Sequence, residues 1–177
     1  MNIIAYTDGS CLGNGTPDAP GGYGVVILMY TESGIIRKEL SGEIENTTNN
    51  RAELTAVIQT LKEAKTSCNF EFHLDSKYVI GCATGDNIKA NKDLWSEYVH
   101  ERKRHDSIKF MYVPGHKGHP DNERANQLAQ LEASKLSMMK AIKSGKTIPL
   151  FGKNDDVNHI TGQINGKEIN HVDTKHC

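Results

Sequence analysis

The chain has 177 residues, 37% of them apolar and 24% charged, a balance that fits a globular protein and excludes a disordered or low-complexity one. Its net charge of −1 lacks the strongly basic signature of many nucleic-acid binders. No stretch approaches the roughly 18 to 20 apolar residues of a membrane span.

Met1 leads directly into Ile3-Ile4-Ala5-Tyr6 with no basic leader or long apolar segment, so a cytoplasmic protein is expected. Residues 2–7 read as a strand that Asp8 ends. A Gly- and Pro-rich loop follows, from Gly13 to Gly22. Residues 23–30 form a near-continuous apolar run, a buried strand, and 34–41 a third strand after a short turn. Three strands with short connections predict an antiparallel meander. Leu54, Val57, Ile58 and Leu61 then recur at helical spacing, predicting a helix over about 50–65. Phe70, Phe72 and Leu74 alternate in a strand leading to Asp75. Helices are predicted at about 76–83 and 93–104, a fifth strand around Ile108, Phe110 and Tyr112, and a helix from about 121 to 142. Between the last two, residues 113–120 form a loop by their Pro and Gly content.

The predicted fold is α/β, a five-stranded mixed sheet with three antiparallel strands first and helices packed on it. Residues 1–142 are expected to form the domain. Residues 143–177 are expected to be a polar extension, docked or free, with Asn165-Gly166 marking a hairpin. The cysteines at 11, 68, 82 and 177 form no close pair, so free thiols are expected and zinc-knuckle spacing is absent. Arg102, Lys103, Lys109 and the lysines at 135, 140, 143 and 146 offer local positive charge, each also explicable as a solvated helix face.

Three carboxylates attract attention only as a set. Asp8 is also a turn residue by its Asp-Gly pair, Glu53 a capping-box partner three residues after Asn50, and Asp75 a helix N-cap. If the first and fourth strands lie side by side, however, Asp8 and Asp75 are neighbours, and Glu53 joins them from the first turn of a packed helix. Carboxylates so gathered repel one another, and divalent cations neutralise them. Hard oxygen ligands suit Mg²⁺, with Mn²⁺ as a substitute. Two such ions about 3.5–4 Å apart form the clamp used in phosphodiester hydrolysis.

Four segments carry a resemblance. They are Tyr6-Thr7-Asp8-Gly9-Ser10-Cys11-Leu12-Gly13-Asn14, Thr47-Thr48-Asn49-Asn50-Arg51-Ala52-Glu53-Leu54, Leu74-Asp75-Ser76-Lys77-Tyr78-Val79, and residues 113–129 from Val113 to Ala129. In this order and spacing, over residues 2 to about 134, the chain resembles the type 1 ribonuclease H family. The resemblance implies an endonuclease that cuts the RNA strand of RNA–DNA hybrids with two metal ions. It implies that Asp8, Glu53, Asp75 and the position of Asn126 hold the metal, and that His116, on a loop flanked by Gly115 and Gly118, assists proton transfer or product release. Cys11, Asn14, Asn49 and Asn50 match positions lining the hybrid's minor groove, and Thr48 a position that binds a DNA-strand phosphate. Neutral donors and acceptors suit 2′-hydroxyls, the groups that distinguish RNA from DNA.

Two departures stand out. Where the family carries a fourth carboxylate this chain has Asn126, whose amide oxygen can ligate a cation but brings no charge. And the basic helical protrusion of some bacterial members has no room in residues 80–92, while Trp95 reads as a packing anchor and His119 as a surface-loop histidine. The rival readings are a catalytically weakened hybrid-binding protein and another polynucleotidyl transferase of the same fold. The Thr-Thr-Asn-Asn-Arg-Ala-Glu segment argues against the latter. No obligatory protein partner is evident, so a monomer acting on the hybrid is expected.

Overall fold

The computed structural model describes residues 1–115 and 118–145. Five strands, β1 (Asn2–Cys11), β2 (Gly21–Thr31), β3 (Gly34–Ile44), β4 (Asn69–Leu74) and β5 (Ser107–Tyr112), form one open sheet in the order β3-β2-β1-β4-β5. The first three pair antiparallel, while β1–β4 and β4–β5 are parallel. The mixed sheet is therefore the one expected, with β1 at its centre.

Period-two alternation sends successive residues to opposite faces. Ile3, Ala5, Val25, Ile27, Phe70 and Phe72 enter a core shared with Leu54, Val57, Ile58 and Leu61 of α1 (Asn49–Glu63). The helices α2 (Lys77–Thr84) and α3 (Lys92–Arg102) complete that layer. Trp95 is its anchor, as expected: it is 2% exposed, and its indole N–H donates to the Tyr78 hydroxyl at 3.0 Å. Seven residues, 85–91, link α2 to α3 without further helix.

The other layer is α4 (Pro120–Lys143), which opens with Pro at the position that needs no amide hydrogen and packs Ala125 and Leu128 on Tyr6 and Val26. Glycines set how close it comes. A Cβ added at Gly22 or Gly24 would fall inside the α4 backbone between Ala125 and Ala133. Lacking one, β2 lets the helix rest directly on the sheet.

Three local expectations are corrected. Asp8 does not end its strand. Pairing continues through Asp8↔Gly24 to Cys11↔Gly21, because Gly9 serves close packing against α1 and not a turn. The cap of α1 is Thr48, whose hydroxyl accepts from Arg51 N–H at 3.4 Å, so Glu53 is no capping-box partner of Asn50. Ser76, not Asp75, caps α2, accepting from Val79 N–H at 3.3 Å. Cys11, Cys68 and Cys82 are free thiols, as expected. The Asn165-Gly166 hairpin expectation lies outside the described residues.

Candidate active site

With turn and capping duties assigned elsewhere, the three carboxylates converge. One side-chain oxygen from each of Asp8, Glu53 and Asp75 lies within 4.8 Å of the others. Asp8 comes from the centre of the sheet, and Asp75 directly follows β4, the parallel neighbour of β1. Glu53 arrives because Gly9 has no side chain: a Cβ there would collide with the backbone of Ala52 and Glu53. Gly115 plays the same part for Asp75, whose carboxylate occupies the space a Cβ at 115 would take. The cleft so formed is also lined by Ser10, Asn49, Asn122, Glu123, Asn126 and Gln130.

The electrostatics of the cleft are those of uncompensated negative charge, which suits a cation. No Lys or Arg is among the described residues that line the cleft. Glu53 is 4% exposed, and burial pushes its carboxyl well above the usual range. The charges of Asp8 and Asp75 push it further, and a hydrogen bond shared with Asp8 adds to them, while the Gly9 backbone pulls the other way. Its Oε2 is buried and has no hydrogen-bond partner. A buried acceptor with no donor costs on the order of 1–3 kcal/mol, more when charged, unless something absent from the bare chain meets it. Hard oxygen donors and excess negative charge make a divalent cation the fitting group.

The structure brings Asn126 to this cleft as expected, with its Oδ1 accepting from Gln130 Nε2 at 2.9 Å. Asn49 lines it as well, but Cys11, Asn14, Thr48 and Asn50 do not. These form the adjoining surface. Cys11 donates its thiol to the Thr47 carbonyl at 3.3 Å, and the Asn14 side-chain oxygen accepts from Asn49 N–H at 3.0 Å. Burial pushes the Cys11 thiol up, keeping it a neutral donor. His116 lies outside the described residues. His119, expected as a surface-loop histidine, is half-buried instead. Its ring sits 4.6 Å from that of Tyr6, with Nε2 3.3 Å from the Tyr6 hydroxyl.

Ser10, Asn122, Glu123 and Gln130 were not singled out from sequence. The last two look like any polar residues on an exposed helix. The available signal was periodic: Asn122, Asn126 and Gln130 fall at i, i+4 and i+8, one stripe of α4.

Comparison with known proteins places the sequence and fold in a family. A model of the RNase H family matches residues 1–134. Ribonuclease H of Aeromonas salmonicida is 43% identical over 147 residues, 75% of this chain and 90% of its own length. Ribonuclease H of Desulforamulus reducens is 40% identical over 151 residues, 77% of this chain and 90% of its own. Among solved structures, LC9-RNase H1, described as a type 1 RNase H with the type 2 active-site motif, is similar with a TM-score of 0.67 and 32% identity, over 76% of this chain and 72% of that one. LC11-RNase H1, solved in complex with an RNA/DNA hybrid, gives a TM-score of 0.63 and 28% identity, over 76% of this chain and 99% of that one.

Proposed function

The chain belongs to the ribonuclease H family, and on that premise we propose that it is an endonuclease that hydrolyses the RNA strand of RNA–DNA hybrids in two-metal fashion. The observation that carries this reading is the packing of three carboxylates within 4.8 Å around a buried Glu53 whose Oε2 has no partner. Asp8, Glu53 and Asp75 would hold the ions, with Asn126 contributing an amide oxygen. Mg²⁺ is the natural occupant and Mn²⁺ its substitute, and the bound ions supply charge neutralisation at the scissile phosphate and activation of the attacking water.

The chain's own residues do the rest. Asp8 stands in the β1–β2 ladder opposite Gly24 and Asp75 directly follows β4, so ordered backbone sets both carboxylates in place ahead of the reaction. Cys11, Asn14, Asn49 and Asn50 meet the minor groove with neutral donors and acceptors, and the Thr48 hydroxyl meets a DNA-strand phosphate. His116 carries the proton transfer or product-release role. Residues 1–142 act as the catalytic domain, with 143–177 as an extension, and the chain works as a monomer on its substrate. No described helix is long and apolar enough to cross a membrane.

Asn126 lowers the site's charge by one relative to a fourth carboxylate, so weaker metal binding and slower turnover follow. The test is cleavage of a labelled hybrid beside RNA and DNA duplexes, in Mg²⁺ and in Mn²⁺, for this chain and Asn126→Asp. Cleavage confined to the hybrid, rising with Asn126→Asp, is the expected result. Tight hybrid binding with no cleavage in either metal would mean a binding protein instead, and cleavage of all three duplexes would mean another polynucleotidyl transferase.

A further inference from the structure

The stripe Asn122, Asn126, Gln130 presents three amides to a cleft whose other wall is carboxylate. Asn122 is 5% exposed and its Oδ1 has no partner, so the stripe begins with an acceptor held in reserve. At its far end Gln130, itself exposed, donates from Nε2 to Asn126 Oδ1 at 2.9 Å. That single hydrogen bond bears on a difficulty peculiar to an amide at this place. A carboxylate offers oxygen at both ends, whereas an amide offers oxygen at one end and a hydrogen donor at the other. Turned the wrong way, Asn126 would aim an N–H₂ group at a cation.

We propose that Gln130 is a positioning residue for the metal site, selecting the amide orientation in which Asn126 offers its oxygen. With the Gln130 donor in place, inverting the Asn126 amide would set two N–H₂ groups against each other. In the observed orientation one lone pair of Oδ1 accepts from Gln130, and the second remains for a cation. Asp at 126 would need no such selection, because its two oxygens are equivalent. The dependence on residue 130 therefore belongs to a chain with Asn at 126. This inference rests on Asn126 facing the metal, as proposed above.

The test is calorimetric titration of Mn²⁺ into four full-length proteins without nucleic acid: this chain, Gln130→Leu, Asn126→Asp and the double variant. Leucine is a good helix former of similar size with no donor, and the position is exposed, so the metal-free melting temperature should be unchanged. Partners that orient a metal ligand are typically worth about 10–100-fold in affinity, so Gln130→Leu should weaken Mn²⁺ binding about tenfold. In the Asn126→Asp background the same change should cost at most about twofold, the non-additivity of a coupled pair. Equal losses in both backgrounds, or no loss in the first, overturn the proposal even if Asn126→Asp tightens binding as expected. Should Asn126→Asp fail to tighten Mn²⁺ binding, the metal-facing role of residue 126 falls and takes this inference with it.

Discussion

Two groups of acidic residues sit at either side of α4, and they have been solved in opposite ways. At the β3 edge, Glu39 accepts from Arg124 at 3.0 and 2.8 Å and from Arg37 at 2.6 Å, while Arg37 also donates to Asp121 at 3.1 and 3.2 Å. Hydrogen bonds from Arg124, then Arg37, pull the Glu39 carboxyl down to about 2. At the cleft, Asp8, Glu53 and Asp75 are crowded together with no cationic side chain among the described lining residues, and Glu53 is pushed up. The same residue type thus serves cohesion where the chain brings its own cations and, in the function proposed, catalysis where it leaves the positive charge to be supplied.

The contrast can be broken at several points. The largest expected effect is on rate. Asp8→Asn removes a charge from the proposed metal site, where bound ions would be worth several kcal/mol to the transition state, so hybrid cleavage should fall on the order of 10³-fold. The metal-free protein should melt no lower, since less repulsion remains; a clear drop in melting temperature would make Asp8 a structural residue. Next comes Gly9→Ala. Its methyl group meets the Glu53 backbone, so it should cost about 1–3 kcal/mol of stability and, by displacing Glu53, about 10²-fold in rate. Activity surviving undiminished in that variant would contradict the role given to the close approach of α1.

The pH dependence should carry opposite signs in the two regions. Folded Glu53 holds its proton above the unfolded carboxyl range, so without metal its contribution to stability is full at low pH and is lost as pH rises through its folded value. Glu39 behaves inversely: its contribution is present above the ordinary carboxyl range and lost as pH falls toward about 2. Urea unfolding across pH should show Glu53→Gln flattening the upper window alone and Glu39→Gln the lower alone. Saturating Mg²⁺ should erase the upper window, because the ion replaces the proton. The smallest effect is the magnitude of Glu39→Gln at neutral pH, a loss of up to roughly 1 kcal/mol for a partly exposed network, with cleavage within a few-fold of the parent.

Much of this was legible in the sequence where periodicity carried it. The alternation of Phe70, Phe72 and Leu74 and the spacing of Leu54, Val57, Ile58 and Leu61 correspond to β4 and α1. What local reading mistook were residues whose conformation is set by distant partners. Asp8-Gly9 has the chemistry of a turn, yet strand pairing with Gly24 and the approach of Glu53 hold it extended. Asn50 and Glu53 have capping-box spacing, but Thr48 two positions earlier is the cap. His119 is drawn inward by Tyr6, 113 residues away in sequence, which no local pattern encodes. Gln130 was invisible because its significance depends on which residue stands one turn before it.

The placement of Trp95 has a practical consequence. It is the chain's one tryptophan, and it is buried in α3 against Tyr78 and Tyr98, in the layer across the sheet from α4. Intrinsic fluorescence therefore reports on the α1–α3 layer, whereas far-ultraviolet circular dichroism counts the 24 residues of α4 as well. Followed together through denaturation, coincident curves would mark one cooperative unit, and an early fall in dichroism would mark α4 leaving a still-folded sheet.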